Sequence, residues 1–176
     1  MSFPVLKAAV LVDVSDMYLR VQEVHGNAAL NYLGCTEWLE SLGSTVTFKV
    51  AYSRQNPTKV GPFLQLLRDN AWECHFGNQS WYMRMGLRAA EILPKVDILA
   101  IGSVTPESLD LCRYIREQGK LVWVFSAIIP PEFREVARCF EIPKELIRFR
   151  ENDTRRKAKP VELPANIVGN GPQPAA

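Results

Sequence analysis

The 176 residues amount to about one domain, enough for one substantial core and too short for two comfortable ones. With 47% hydrophobic and 23% charged residues the composition is that of a globular protein and excludes global disorder. A net charge of +2 neither demands nor excludes a nucleic-acid partner, and four scattered cysteines without a CxxC pair argue against a zinc site or a disulfide framework.

Residues 8–14 (AAVLVDV) form a continuous Val-rich apolar run, the pattern of a strand covered on both faces. Asp13 and Asp16 break that run too early for a signal segment or a membrane span, so the cytosol is the expected compartment. Asp16 is a candidate N-cap for the next helix. Residues 17–42 are helical in pattern, with interruptions at Gly26-Asn27 and Gly34, and Gly43 ends the helix.

Residues 45–52 (TVTFKVAY) alternate and are β-branched, predicting a second strand. Residues 53–62 read as a loop, 63–70 as a short helix, 72–76 as a short strand and 82–93 as a helix. Residues 97–102 (DILAIG) are another buried strand. Thr105-Pro106 opens a helix with a capping hydroxyl and a proline at its first position, and Gly119 closes it. Residues 121–125 (LVWVF) are a further buried strand, and the Pro-Pro pair at 130–131 predicts a helix to residue 139. Strands alternating with helices predict a single Rossmann-like α/β domain over residues 1–149, with a mainly parallel sheet and helices on both faces. Residues 150–176 hold the basic run RRKAK and then a Pro/Gly-rich stretch, read as a flexible tail.

In such sheets ligands bind beyond the carboxyl ends of the strands. The residues standing there are Asp13 and Asp16, then Ser53, Arg54 and Asn56, then Ser103, Thr105 and Glu107, and finally Ser126. A carboxylate at a buried strand end needs a partner, and a hard cation such as Mg²⁺ is one choice. Helix capping accounts equally for Asp13 or Asp16, and the helix dipole alone accounts for Glu107. Trp81 and Tyr82 beside Arg84 and Arg88 have the makings of a base-stacking surface, although core packing explains the aromatics as well. His25 and His75 are not spaced as ligands, and no Ser/His/Asp arrangement or phosphate-binding Gly loop is legible.

VLVDVSDMY resembles the opening strand of NYN domains, which belong to the PIN-like nuclease superfamily. DILAIGSVTPESLDLCRYIREQGKLVWVF resembles the strand–helix–strand unit of that family, and FREVARCFEIPKELI resembles its terminal helix and last hydrophobic element. The resemblance implies a PIN-like fold whose carboxylates hold Mg²⁺ or Mn²⁺ and activate water to cut single-stranded RNA. By position it makes Asp13, Asp16 and Glu107 the catalytic carboxylates, with Asp13 and Glu107 as metal ligands. Ser103 matches the family serine, and Ser103, Thr105, Arg84 and Arg88 become substrate-binding residues. One carboxylate of the family motif is replaced by Thr105, and Arg84 and Arg88 stand near another expected acid. The alternative is therefore a catalytically inactive relative that binds RNA or a protein, or self-associates, through the cleft or tail. A receiver domain lacks its phosphoryl-accepting aspartate in ECHFGN, and DVSD has the wrong spacing for a haloacid-dehalogenase phosphatase.

Overall fold

A computed structural model describes residues 5–54, 57–77 and 81–149. The predicted tail, with its RRKAK run, lies outside the described residues, as does Asn56. Six parallel strands form the central sheet: β1 (Leu6–Asp13), β3 (Ser44–Ser53), β4 (Glu73–Phe76), β5 (Ile98–Gly102), β6 (Leu121–Ser126) and β7 (Arg138–Glu141). Their order is β4-β3-β1-β5-β6-β7, so the chain winds outward from β1 in one direction and then returns to continue in the other.

The continuous apolar run of β1 exists because both faces are covered. Ala8, Val10 and Val12 pack with Met17 and Val21 of α1 (Val14–His25), with Cys35 and Leu39 of α2 (Tyr32–Ser41), and with Leu64 and Leu67 of α3 (Pro57–Asp69). Ala9 and Leu11 point the other way, onto Met85 and Ala89 of α4 (Trp81–Ile92) and Cys112 and Ile115 of α5 (Pro106–Glu117). Each buried Val, Leu, Ile or Met side chain among them contributes about 1.5–3 kcal/mol through removal from water, and the alanines less. The four thiols are free, and burial pushes that of Cys35 up to about 12. Among the described residues no helix is long and apolar enough to cross a membrane.

Four local expectations are corrected. Asp16 is not the N-cap of α1; Asp13 is, and Asp16 occupies the third helical position. The segment expected to be one helix over 130–139 is a 3₁₀ turn, Pro131–Glu135, followed by strand β7, because Arg138–Glu141 finds open ladder groups along β6. The break at Gly26-Asn27 holds a strand, β2 (Ala28–Leu30), which pairs antiparallel with β8 (Ile147–Phe149). α3 also begins at Pro57, inside the expected loop, since proline suits a first helical turn.

Candidate functional site

The winding reverses at β1, and that reversal opens a crevice at the carboxyl ends of β1 and its neighbours. Register places Asp13 opposite Tyr52 of β3, and Val12 opposite Gly102 of β5. Gly102 has no room for a side chain: a Cβ there would lie 2.8 Å from Phe125 Cζ and 3.1 Å from Val12 Cγ2.

Asp13 is fully buried, and both its oxygens are engaged. Oδ1 accepts the backbone N–H groups of Ser15 at 3.0 Å and Asp16 at 3.2 Å, which caps α1. Oδ2 accepts from Arg54 Nη2 at 2.9 Å. The Arg54 backbone N–H also donates to Ser15 Oγ at 3.2 Å, so the turns after β1 and β3 are tied together. The guanidinium lies 4.8 Å from the centroid of Trp81 and remains 41% exposed. Burial raises the Asp13 carboxyl above its ordinary range, against the pull of the Asp16 amide and of Arg54. Arg54 follows β3, a position worth inspecting in any parallel sheet, but nothing in the sequence aims it at Asp13.

Asp16 is 2% exposed and bridges the crevice. Its Oδ2 accepts from the Val104 backbone at 2.8 Å and from Ser103 Oγ at 3.3 Å, while Oδ1 accepts from Arg20 Nε at 3.3 Å. Two buried carboxylates therefore face two arginines and a set of neutral donors. Ser103 is itself fully buried. Thr105 caps α5 by accepting the Ser108 N–H at 3.2 Å, as its sequence position predicts. Glu107, in the first turn of α5, is exposed.

Arg84 and Arg88 lie on α4 beside β4, not on the acidic pair. Arg84 Nη1 approaches the Phe76 carbonyl at 3.4 Å. Arg88 donates to Glu73 Oε2 through Nη2 at 2.7 Å and through Nε at 3.2 Å, and to Glu91 at 2.8 Å. Glu73 also meets His75 Nε2 at 2.5 Å, and its carboxyl lies below the usual range because His75 and Arg88 together outweigh burial. Trp81 belongs to the core, while Tyr82 is 48% exposed at the edge of the site. Ser126 Oγ, at the tip of β6, is buried without a partner among the described residues.

A divalent cation prefers several hard oxygen ligands with charge to spare. Asp13 and Asp16 have committed their oxygens to N–H and O–H donors, and no third acid, histidine or cysteine joins them as a ligand group among the described residues. The donor set does not fit a metal in this arrangement.

A parallel sheet with helices on both faces and an acidic strand tip at its reversal defines a Rossmann-like α/β domain. The NYN domain family matches residues 7–142, and the chain belongs to that family. A solved structure of a protein of unknown function from Vibrio parahaemolyticus is similar, with a TM-score of 0.71 and 22% identity over 84% of this chain and 99% of that one. At that identity the likeness concerns the fold. No curated relative matches the chain.

Proposed function

We propose that this NYN domain binds single-stranded RNA at the β1–β3 edge of the crevice without cutting it. The carrying observation is the Arg54 guanidinium 2.9 Å from Asp13, where a catalytic cation would need the carboxylate open. Arg20 balances Asp16 in the same way. Both substitutions of an internal cation for a bound one remove the charge that would attract Mg²⁺ or Mn²⁺ and lower the pKa of a water. The partly exposed Arg54, stacked on Trp81, together with Arg84 and Tyr82, supplies phosphate and base contacts of the kind single strands use.

The test is fluorescence anisotropy with a labelled oligouridylate in EDTA, with and without added Mn²⁺, alongside a gel assay for cleavage. Salt-sensitive binding that weakens in Arg84→Glu, with intact RNA in every lane, is the expected result. Mn²⁺-dependent cleavage that vanishes in Asp13→Asn would overturn it in favour of a nuclease built on Asp13, Asp16 and Glu107.

A further inference from the structure

At the opposite pole, where the strands begin, a cleft of about 430 Å³ opens between the starts of β1, β6 and β7. Its lining includes Arg116 from the last turn of α5, Lys120 from the turn before β6, Arg134 from the 3₁₀ segment and Arg138 from the start of β7. The only acid among its lining residues is Glu135. Three separate elements and a turn thus deliver cations to one concavity.

Part of this charge has a structural use. Arg116 Nη1 donates to the Glu135 carbonyl at 2.6 Å, and Lys120 Nζ donates to the Val96 carbonyl at 2.8 Å. Each bond engages a single donor, whereas a guanidinium has five N–H groups and an ammonium three. Both partners are neutral carbonyls, so neither bond cancels the charge. Arg134 meets Glu141 at 3.3 Å, an exposed pair of little strength. Arg138 lies 5.0 Å from the Phe140 ring centroid and 6.0 Å from that of Trp123, which orients the guanidinium over an aromatic floor without neutralising it. Among the described residues, Arg54 is matched with Asp13, Arg88 with Glu73 and Arg113 with Asp110, whereas Arg116, Lys120 and Arg138 of this cleft are held by carbonyls and rings.

We infer that the cleft is a second phosphodiester-binding site, which takes the backbone of the same single-stranded RNA beyond the crevice. The assignment rests on the RNA-binding reading above. β1 has eight residues, so at about 3.3 Å each the two poles stand roughly 26 Å apart. A strand running from one to the other needs to be long, so this site adds nothing to the shortest oligonucleotides.

The experiment measures anisotropy with labelled oligouridylates of several lengths against salt, for the wild-type chain and for Arg116→Gln/Arg138→Gln. Each phosphate contact on a single strand contributes about 0.7 to the slope of log K against log salt, so the double variant loses about 1.4 from the slope for long oligonucleotides and none for the shortest. Arg113→Gln, on the same helix but outside the cleft, leaves the slope unchanged. Photocrosslinking of 4-thiouridine RNA to the wild-type chain, followed by peptide mapping, reports the site without any variant; label on the peptides bearing Trp123 and Arg138 is expected. An unchanged slope in the double variant with no label on those peptides overturns this site while leaving the crevice reading intact. Wild-type chain that binds no RNA of any length overturns both.

Discussion

The two poles of the sheet handle charge in opposite ways. At the strand ends, Asp13 and Asp16 are buried and each is matched by an arginine and by backbone or hydroxyl donors. At the strand starts, Arg116, Lys120 and Arg138 sit around one cleft and spend their bonds on carbonyls and rings. A charge that is internally matched stabilises the fold and offers little to a ligand. One that is held in place but not neutralised keeps its attraction for an anion. The family's acidic residues are therefore committed to structure, so that recognition at their pole falls to the exposed part of Arg54 with Arg84 and Tyr82, while the cleft at the strand starts keeps several cations that no carboxylate matches.

Breaking the matched pole is expected to cost stability in proportion to what is left unpaired. Asp16→Ala has the largest expected effect, about 3 kcal/mol in urea unfolding, because the Val104 N–H and Ser103 hydroxyl lose their acceptor in a dry site. Glu107→Gln, at an exposed position, is the control and shifts stability by less than about 0.5 kcal/mol. If the two variants prove alike, the contrast drawn between buried and exposed acids is wrong.

Arg54→Ala comes next, at about 2 kcal/mol. That lies below the full cost of breaking a buried pair, since the guanidinium is 41% exposed and already partly hydrated. The same variant asks whether Arg54 alone keeps a cation out: if it gains Mn²⁺ affinity by calorimetry, the acids are competent once released.

The smallest effect is in pH dependence. Burial, more than any other influence, raises the Asp13 carboxyl in the folded chain above the ordinary carboxylate range. The folded state therefore holds the proton more tightly than the unfolded state, so this group's contribution to stability falls as pH rises through the folded pKa. Asp13→Asn keeps an oxygen for the helix cap and removes the titration. The stability of the wild type relative to this variant should decline as pH climbs from about 4. A relative stability that instead rises over that interval would mean that Arg54 outweighs burial.

Much of the fold was legible in one dimension. Period and length predict β1, β3, β5 and β6 because buried parallel strands must be apolar on both faces, as Ala8 to Val12 are. Thr105-Pro106 specifies the start of α5 through purely local chemistry. β2 and β8 escaped because three residues such as Ala28–Leu30 become a strand only on meeting partners more than a hundred positions away. β7 looked helical for the same reason, its identity resting on the free edge of β6.

The candidate site divides along the same line. Sequence alone determined that Asp13 and Asp16 stand at the end of a buried strand, that Ser103, Thr105 and Glu107 follow another, and that the chain carries the NYN pattern. Tertiary structure decided what those acids do: packing β1 between β3 and β5 brings Arg54 onto Asp13 and Ser103 with Val104 onto Asp16, and leaves Glu107 in water. The reason is that a residue's type and its place on a strand are local, whereas the partner that neutralises a buried charge comes from wherever the sheet brings the chain back.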